Sequence, residues 1–279
     1  MPIHDQSYRR YAGGKSRPGQ AWLVIAWAGI RTMLRKRAFL GVLLASWGYF
    51  LVLAVRTYIA TNVPQAALLA LSPDTYRSFL DVQGIFVFFL TIYAGAGLIA
   101  NDRRANALQI YLSKPLMRSE YIAGKAAILF TFILLVTLVP ALLLLLLQMI
   151  LAGSFAFLKA NLFLFPAITL ASLLQAVLAS FTMLALSSLS KSSRYVGILY
   201  AGLMFFTKAI SGVMYAITRS TKFSFISLDA NLSQVVDVIF RMTPKNATPW
   251  PVSLIVLVGV IVVSISILER RVRGVEVVT

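Results

Sequence analysis

The chain has 279 residues, of which 59% are hydrophobic and only 13% charged, with a formal net charge of +17. A soluble domain carries roughly 25% charged residues, and several apolar runs here reach the ~20 residues that cross ~30 Å of hydrocarbon, which excludes a soluble protein. The absence of cysteine excludes disulfides, thiolate metal sites and cysteine nucleophiles.

The first part of the chain predicts a surface helix rather than a span. Residues 1–19 form a polar, basic tail, and the apolar part of residues 20–36 is too short to cross a bilayer. We expect 20–36 to lie on the membrane surface as an interfacial (elbow) helix before the first span. Helical spacing in this segment relates Trp22, Ile25, Gly29, Met33 and Lys36.

Six apolar stretches predict transmembrane helices, so the predicted fold is an all-α membrane protein with one transmembrane domain over residues 20–268. Pro140 and Pro166 lie within or at the start of spans, where proline kinks or begins a helix. A basic tail, 269–279, follows the last span. The approximate limits of the spans are 38–60, 82–100, 126–151, 162–190, 195–217 and 251–268.

Small residues cluster within two of these spans and permit close contact between helices. One group is Ala94 to Gly97, near the end of the second span, and the other includes Gly197, Ala201 and Gly202 in the fifth. They indicate either packing within the chain or a seam between two copies.

The distribution of Lys and Arg predicts the topology. Eighteen of them lie on the side that holds both termini and the 101–125 segment, and seven lie on the other side. Positively charged loops stay in the cytoplasm, so both termini and 101–125 are predicted to be cytoplasmic. Because the basic residues sit between spans and form no single dense stripe, this pattern favours contact with anionic lipid headgroups and excludes nucleic acid. Lys208, inside the fifth span, is either a substrate or ion contact or gate, or a side chain that snorkels to water.

Two outer loops have helical features. Ser72 and Pro73 in the 61–81 loop form a typical helix start, with Ser at the cap and Pro at the first helical position. The 218–250 segment predicts a short amphipathic helix, which either packs structurally or forms a lid over an exit path. Its apolar stripe is Leu228, Leu232, Val235, Val236 and Ile239, with Asp229, Ser233 and Asp237 on the other side.

The cytoplasmic segment 101–125 is patterned as two short helices. Three turns from Asp102 place Leu108, Tyr111 and Leu112 on one apolar face, while Arg103 and Arg104 point elsewhere. Pro115 ends this helix, and Ser119 is predicted to cap the next one, which runs into the third span.

These residues resemble the ABC-2 family of ABC transporter permeases, as does the order of surface helix, six spans and elaborated last outer loop. Where that family usually has glycine early in the first cytoplasmic helix, this chain has Asn106, a residue that tolerates left-handed backbone better than most. The positions that match the family pattern are Asp102, Arg103, Leu108, Leu112, Ser113, Pro115, Arg118, Tyr121, Gly124 and Lys125.

The resemblance implies the permease subunit of an exporter in the bacterial cytoplasmic membrane. Two ABC ATPase subunits and a second permease protomer, identical or different, would complete the complex. ATP and Mg²⁺ would bind the ATPase, because this chain has no G-x-x-x-x-G-K-[ST] loop. The chain itself would hold no cofactor or metal and would not be an enzyme. The residues implied to contact the ATPase are Asp102, Arg103, Arg104, Leu108, Tyr111, Leu112, Pro115 and Arg118.

Two alternatives to an exporter subunit are open. An ABC-2-like component would transmit ATP-driven motion to a partner protein without moving solute. A membrane scaffold would have no ATPase partner.

Overall fold

The computed structural model describes residues 20–63, 71–107, 117–152 and 161–272, and within these ranges every regular element is a helix. Helix α1 (Ala21–Leu34) occupies the segment predicted for the surface helix. Six longer helical stretches have the length and apolar composition to cross a membrane, which confirms the predicted number of spans. Their limits are Arg37–Asn62, Pro73–Arg104, Arg118–Leu151, Leu164–Leu189, Ser193–Thr218 and Trp250–Arg271.

The first two stretches are each interrupted. Helices α2 (Arg37–Ser46) and α3 (Gly48–Asn62) meet at Trp47. In the second stretch, α4 (Pro73–Gly95) is followed by a turn at 96–99 and by the short α5 (Ala100–Arg104).

Helix α4 begins where the sequence predicted a helix start but belongs to the span itself. Ser72 is the N-cap and its N–H donates to the Thr75 hydroxyl at 3.3 Å, which completes a capping box. The helix therefore begins nine residues before the predicted limit of 82, and Arg77, which was predicted to lie in an outer loop, lies in this helix. Arg77 and Asp81 lower the local hydropathy, but Arg77 is buried in the fold.

The third stretch divides into α6 (Arg118–Val136) and α7 (Leu138–Ala152). The helix divides at Thr137, three residues before Pro140, where a kink was predicted. Proline lacks an N–H and clashes with the carbonyl of the residue four positions earlier, so the helix is interrupted just before it. The Thr137 hydroxyl donates to the Ile133 carbonyl at 2.8 Å. Helix α6 begins at Arg118 with Met117 as N-cap, so the predicted cap at Ser119 was wrong by two residues.

Helix α8 (Leu164–Leu189) is central, and its Ser187 supplies hydrogen-bond partners to the backbone of the turn at 96–99. The Ser187 hydroxyl accepts from the N–H groups of Ile99 and Ala100 at 3.1 and 3.0 Å, and donates to the Ala96 carbonyl at 2.9 Å. These backbone groups are buried, so they need partners that water cannot supply. One side chain thus replaces a missing piece of helix.

The last elements are α9 (Ser193–Thr218), a 3₁₀ turn (Thr221–Ile226), α10 (Leu228–Ile239) and α11 (Trp250–Arg271). Helix α9 is peripheral: only 11% of its apolar stretch of 18 residues is buried, against 50% of the corresponding stretch of α8. The predicted amphipathic helix in 218–250 is α10, capped by Ser227, whose hydroxyl accepts from the Ala230 N–H at 3.2 Å.

Two apolar cores mark the two ends of the bundle. One includes Phe39, Phe132 and Met183 and lies towards the end where α5 stops and α6 starts. We call this the basic end, because Lys36, Lys125 and Arg194 line one cavity there. The other core is formed by residues of α3, α4, α7, α8 and α10, and its end is called the α10 end.

Candidate functional site

The structure describes only some of the predicted ATPase-contact residues. Asp102, Arg103, Arg104 and Arg118 lie within the described ranges. Leu108, Tyr111, Leu112 and Pro115 lie outside the described residues.

Asp102 connects the end of the second spanning stretch to the start of the third. Its Oδ2 lies 2.7 Å from the Lys125 Nζ and accepts a hydrogen bond of 2.7 Å from the Tyr121 hydroxyl. The Lys125 ammonium also lies 5.4 Å from the centroid of the Tyr121 ring. The side chains of Asp102 and Lys125 are 19% and 13% exposed, so the pair is largely shielded from water. Asp102 therefore binds its own chain and braces α5 against α6.

Arg103 also turns towards the chain. Its guanidinium donates to the carbonyl of Ser188, in the last turn of α8. A cation at a helix C-terminus neutralises carbonyls that have no partner within the helix. The second spanning stretch is thereby held to both α6 and α8 at the basic end.

Arg104 and Arg118, by contrast, are exposed at the basic end. Arg118 occupies the first position of α6, where the helix dipole disfavours a positive charge. Helix stability therefore does not explain an arginine there. Of the four described residues, two brace the segment and two face outward.

Asn106 ends the α5 region with φ of 51°, in the left-handed region. Glycine adopts this conformation without strain, and asparagine does so more easily than other residues with a side chain. The place where the ABC-2 pattern usually has glycine is thus one where the backbone of this chain needs glycine-like freedom.

Helix α1 packs directly on the first turns of α6 through glycine. A Cβ added at Gly124 would lie 2.8 Å from the Cβ of Ile25 and 2.9 Å from the carbonyl oxygen of Trp22. The adjacent Gly29 faces Ile128 in the same way, at 2.1 Å from its Cδ1. Gly124, one of the positions of the family pattern, therefore sets the distance between the two helices.

The α10 end holds a buried charge cluster that the sequence did not reveal. The Arg77 Nε donates to Asp237 Oδ1 at 2.7 Å, and the same guanidinium pairs with Asp81 and donates to the Ser233 hydroxyl at 2.7 Å. The sequence placed Asp237 on the polar side of α10, but its side chain is 2% exposed and faces α4. The one available signal was that a carboxylate and an arginine on otherwise apolar helices both need a partner.

Lys208 is paired as well. Its Nζ lies 2.9 Å from Asp229 Oδ2, and the two side chains are 66% and 57% exposed. Both line a cavity of about 640 Å³ between α4, α8, α9 and α10, together with Asp81. The pair joins α9 to α10, so Lys208 is one member of a group of charges at this end rather than an isolated ionisable residue.

Comparison with protein-family models and with curated protein sequences finds no match. The functional assignment therefore rests on the residues and contacts of this chain.

Proposed function

We propose that this chain is the permease subunit of an ATP-driven ABC-2-type exporter, and that the segment between α5 and α6 docks on a separate ATPase. The observation that carries this proposal is the brace at Asp102. A segment that only turned the chain around would not need both of its flanking helices tied by one ion pair and one tyrosine hydrogen bond. A segment that receives force does need it.

The proposed mechanism is a switch between two states of the membrane domain. ATP-driven approach of two ATPase subunits pushes on two such segments, one per protomer. Arg104 and Arg118 contact the ATPase, and Asp102 passes the displacement to α6 and, through Gly124, to α1. Arg103 passes it to α8. ATP and Mg²⁺ belong to the partner, and this chain carries no catalytic step.

The proposed orientation places the basic end in the cytoplasm of a bacterium, with α1 on the inner surface of the cytoplasmic membrane. The excess of Lys and Arg in the segments at this end supports the orientation. Trp22 and Trp27 of α1 are both exposed, as interfacial tryptophans are.

The second protomer is proposed to pack along α9. Gly95, in the first of the two small-residue groups, is already used within the chain, since a Cβ there would lie 2.5 Å from Met183 Cγ. In contrast, a Cβ added at Gly202 on α9 would have no atom of the described residues within 4 Å. An open glycine on an exposed apolar helix suits close contact with a second helix.

The test is co-expression of the chain with candidate ABC ATPases and measurement of complex formation and ATPase stimulation. We expect the double variant R104E/R118E to lose the ATPase, since it reverses two outward-facing charges. Its matched control is R31E/R35E, which changes the same charge at two exposed positions, one in α1 and one directly after it.

The possible results separate the alternatives. A stable complex whose ATPase activity drives no solute movement would favour force transmission to a partner protein. A chain that binds no ABC ATPase would refute the proposal and favour a scaffold. Equal loss in both double variants would refute the role of the 101–125 segment.

A further inference from the structure

The cavity at the α10 end has the form of an amphiphile site. Its volume of about 640 Å³ is within the range of ligand pockets. Phe88, Leu178 and Met204 line its apolar part, while Asp81 and Asp229 contribute carboxylates. Apolar lining with a few convergent polar groups is typical of a site that orients one end of its ligand.

The charges around the cavity balance. Buried Arg77 faces the two carboxylates of Asp81 and Asp237, Lys208 faces Asp229, and the Lys245 Nζ lies 3.9 Å from Asp81 Oδ2; these interactions join three cations to three carboxylates. A ligand with a single charge would engage one member of the Lys208–Asp229 pair and leave the other without a counter-ion. A zwitterion can replace their mutual contact with two new ion pairs.

The cavity lies at a depth that suits a headgroup held below the end of the bundle. Asp81 is eight residues into α4 and Lys208 is ten residues before the end of α9, which is about 12–15 Å along each helix. Ile85 and Phe89, both on α4, line the cavity and are also exposed. An apolar rim of this kind opens towards lipid, so a ligand can enter sideways from the bilayer.

One further polar residue lines the same space. Thr182 lines the cavity and is buried, and its hydroxyl has no hydrogen-bond partner among the described residues. A buried hydroxyl without a partner carries a desolvation cost, which a polar ligand atom would remove.

We propose that this cavity binds a zwitterionic phospholipid with a primary ammonium group, of the phosphatidylethanolamine type. The phosphate pairs with Lys208 and the ammonium with Asp229 and Asp81, while an acyl chain follows the apolar lining. A primary ammonium donates hydrogen bonds to the carboxylates of Asp229 and Asp81, whereas a quaternary ammonium has no N–H to donate. As the substrate site of an exporter this assignment rests on the function proposed above, but binding itself requires no ATPase.

The experiment is native mass spectrometry of the purified full chain, titrated separately with phosphatidylethanolamine, phosphatidylcholine and phosphatidylglycerol. We expect phosphatidylethanolamine to bind most tightly. K208Q and D229N should each weaken it roughly tenfold, because a hydrogen bond to a charged group is worth at least that factor. Their matched controls are K222Q and D74N, which remove one charge each at exposed positions outside the cavity.

A third variant tests the cavity without touching charge. Among the described residues, the nearest atom to a Cβ added at Gly84 is Gln175 Nε2 at 3.7 Å, so G84L fills the cavity without a clash at the backbone. We expect G84L to lose phosphatidylethanolamine while its thermal stability stays at or above that of the parent. Equal binding of the three lipids, preference for phosphatidylglycerol, or the same affinity in K208Q, D229N and their controls would each overturn the proposal. Failure to find an ATPase partner would leave these results unaffected.

Discussion

Replacing Arg77 with Met should be among the most destabilising single changes at the α10 end. The side chains of Arg77 and Asp237 are 4% and 2% exposed; Arg77 binds Asp237 Oδ1, and Asp237 Oδ2 has no hydrogen-bond partner among the described residues. Removal of the guanidinium leaves a buried carboxylate unpaired, which costs about 3–5 kcal/mol in the free energy of unfolding. For a domain of this size that corresponds to a decrease of roughly 6–20 °C in Tm. Thermal unfolding in detergent, followed by circular dichroism, measures the shift.

The double variant R77M/D237L provides the decisive comparison. It removes both charges, so it should recover most of the stability that R77M loses, because apolar residues of similar size often replace a buried ion pair at little cost. D74N, an exposed carboxylate of the same helix, is the control and should change Tm by no more than about 1–2 °C. A decrease for R77M as small as that for D74N, or strictly additive effects of the two substitutions, would refute the assignment of a buried, mutually dependent pair.

Three further outcomes follow from the basic end and the turn at 96–99. S187A should destabilise the fold by about 2–4 kcal/mol and speed hydrogen exchange of the Ile99 and Ala100 amides, which lose their acceptor. The control S180A removes a buried hydroxyl that has no partner among the described residues, so it should change stability by less than about 1 kcal/mol. G124L should separate α1 from α6 and lower Tm, since the new side chain meets backbone. G41L should not lower Tm, because no atom of the described residues lies within 4 Å of a Cβ there, and equal Tm values for the two variants would disprove the close contact. D102N should keep the ATPase bound but reduce stimulation of its activity, and unchanged stimulation would exclude Asp102 from force transmission.

The parts of the fold that the sequence predicted are those governed by local chemistry. Apolar stretches of sufficient length identified the six span-length helices, and Ser72 with Pro73 identified the start of α4. The apolar stripe of α10 and the break before Pro140 were also visible, because helical periodicity and proline geometry act within a few residues.

The interactions that the sequence did not predict join distant positions. Arg77 and Asp237 are 160 residues apart, and nothing near either residue specifies the other. The same holds for Ser187 and the turn at 96–99. For the candidate site, the resemblance implied that Asp102 contacts an ATPase; the structure shows its carboxylate bound to Tyr121 and Lys125 of the same chain, contacts that no local pattern specified. Residue type marks a position as unusual, but only the packing determines which partner it meets.

The hydrogen bonds of Ser187 also bear on how the chain is assembled during synthesis. The second spanning stretch leaves the ribosome well before α8 exists, so the amides of Ile99 and Ala100 then have no hydroxyl to bind. Each such group costs several kcal/mol in hydrocarbon. We therefore expect the end of this stretch that contains the turn at 96–99 to stay in contact with water or with the insertion machinery until α8 has been synthesised. A chain truncated after Ala152 should be cleaved near 96–99 by added protease, and the full-length chain should be protected there.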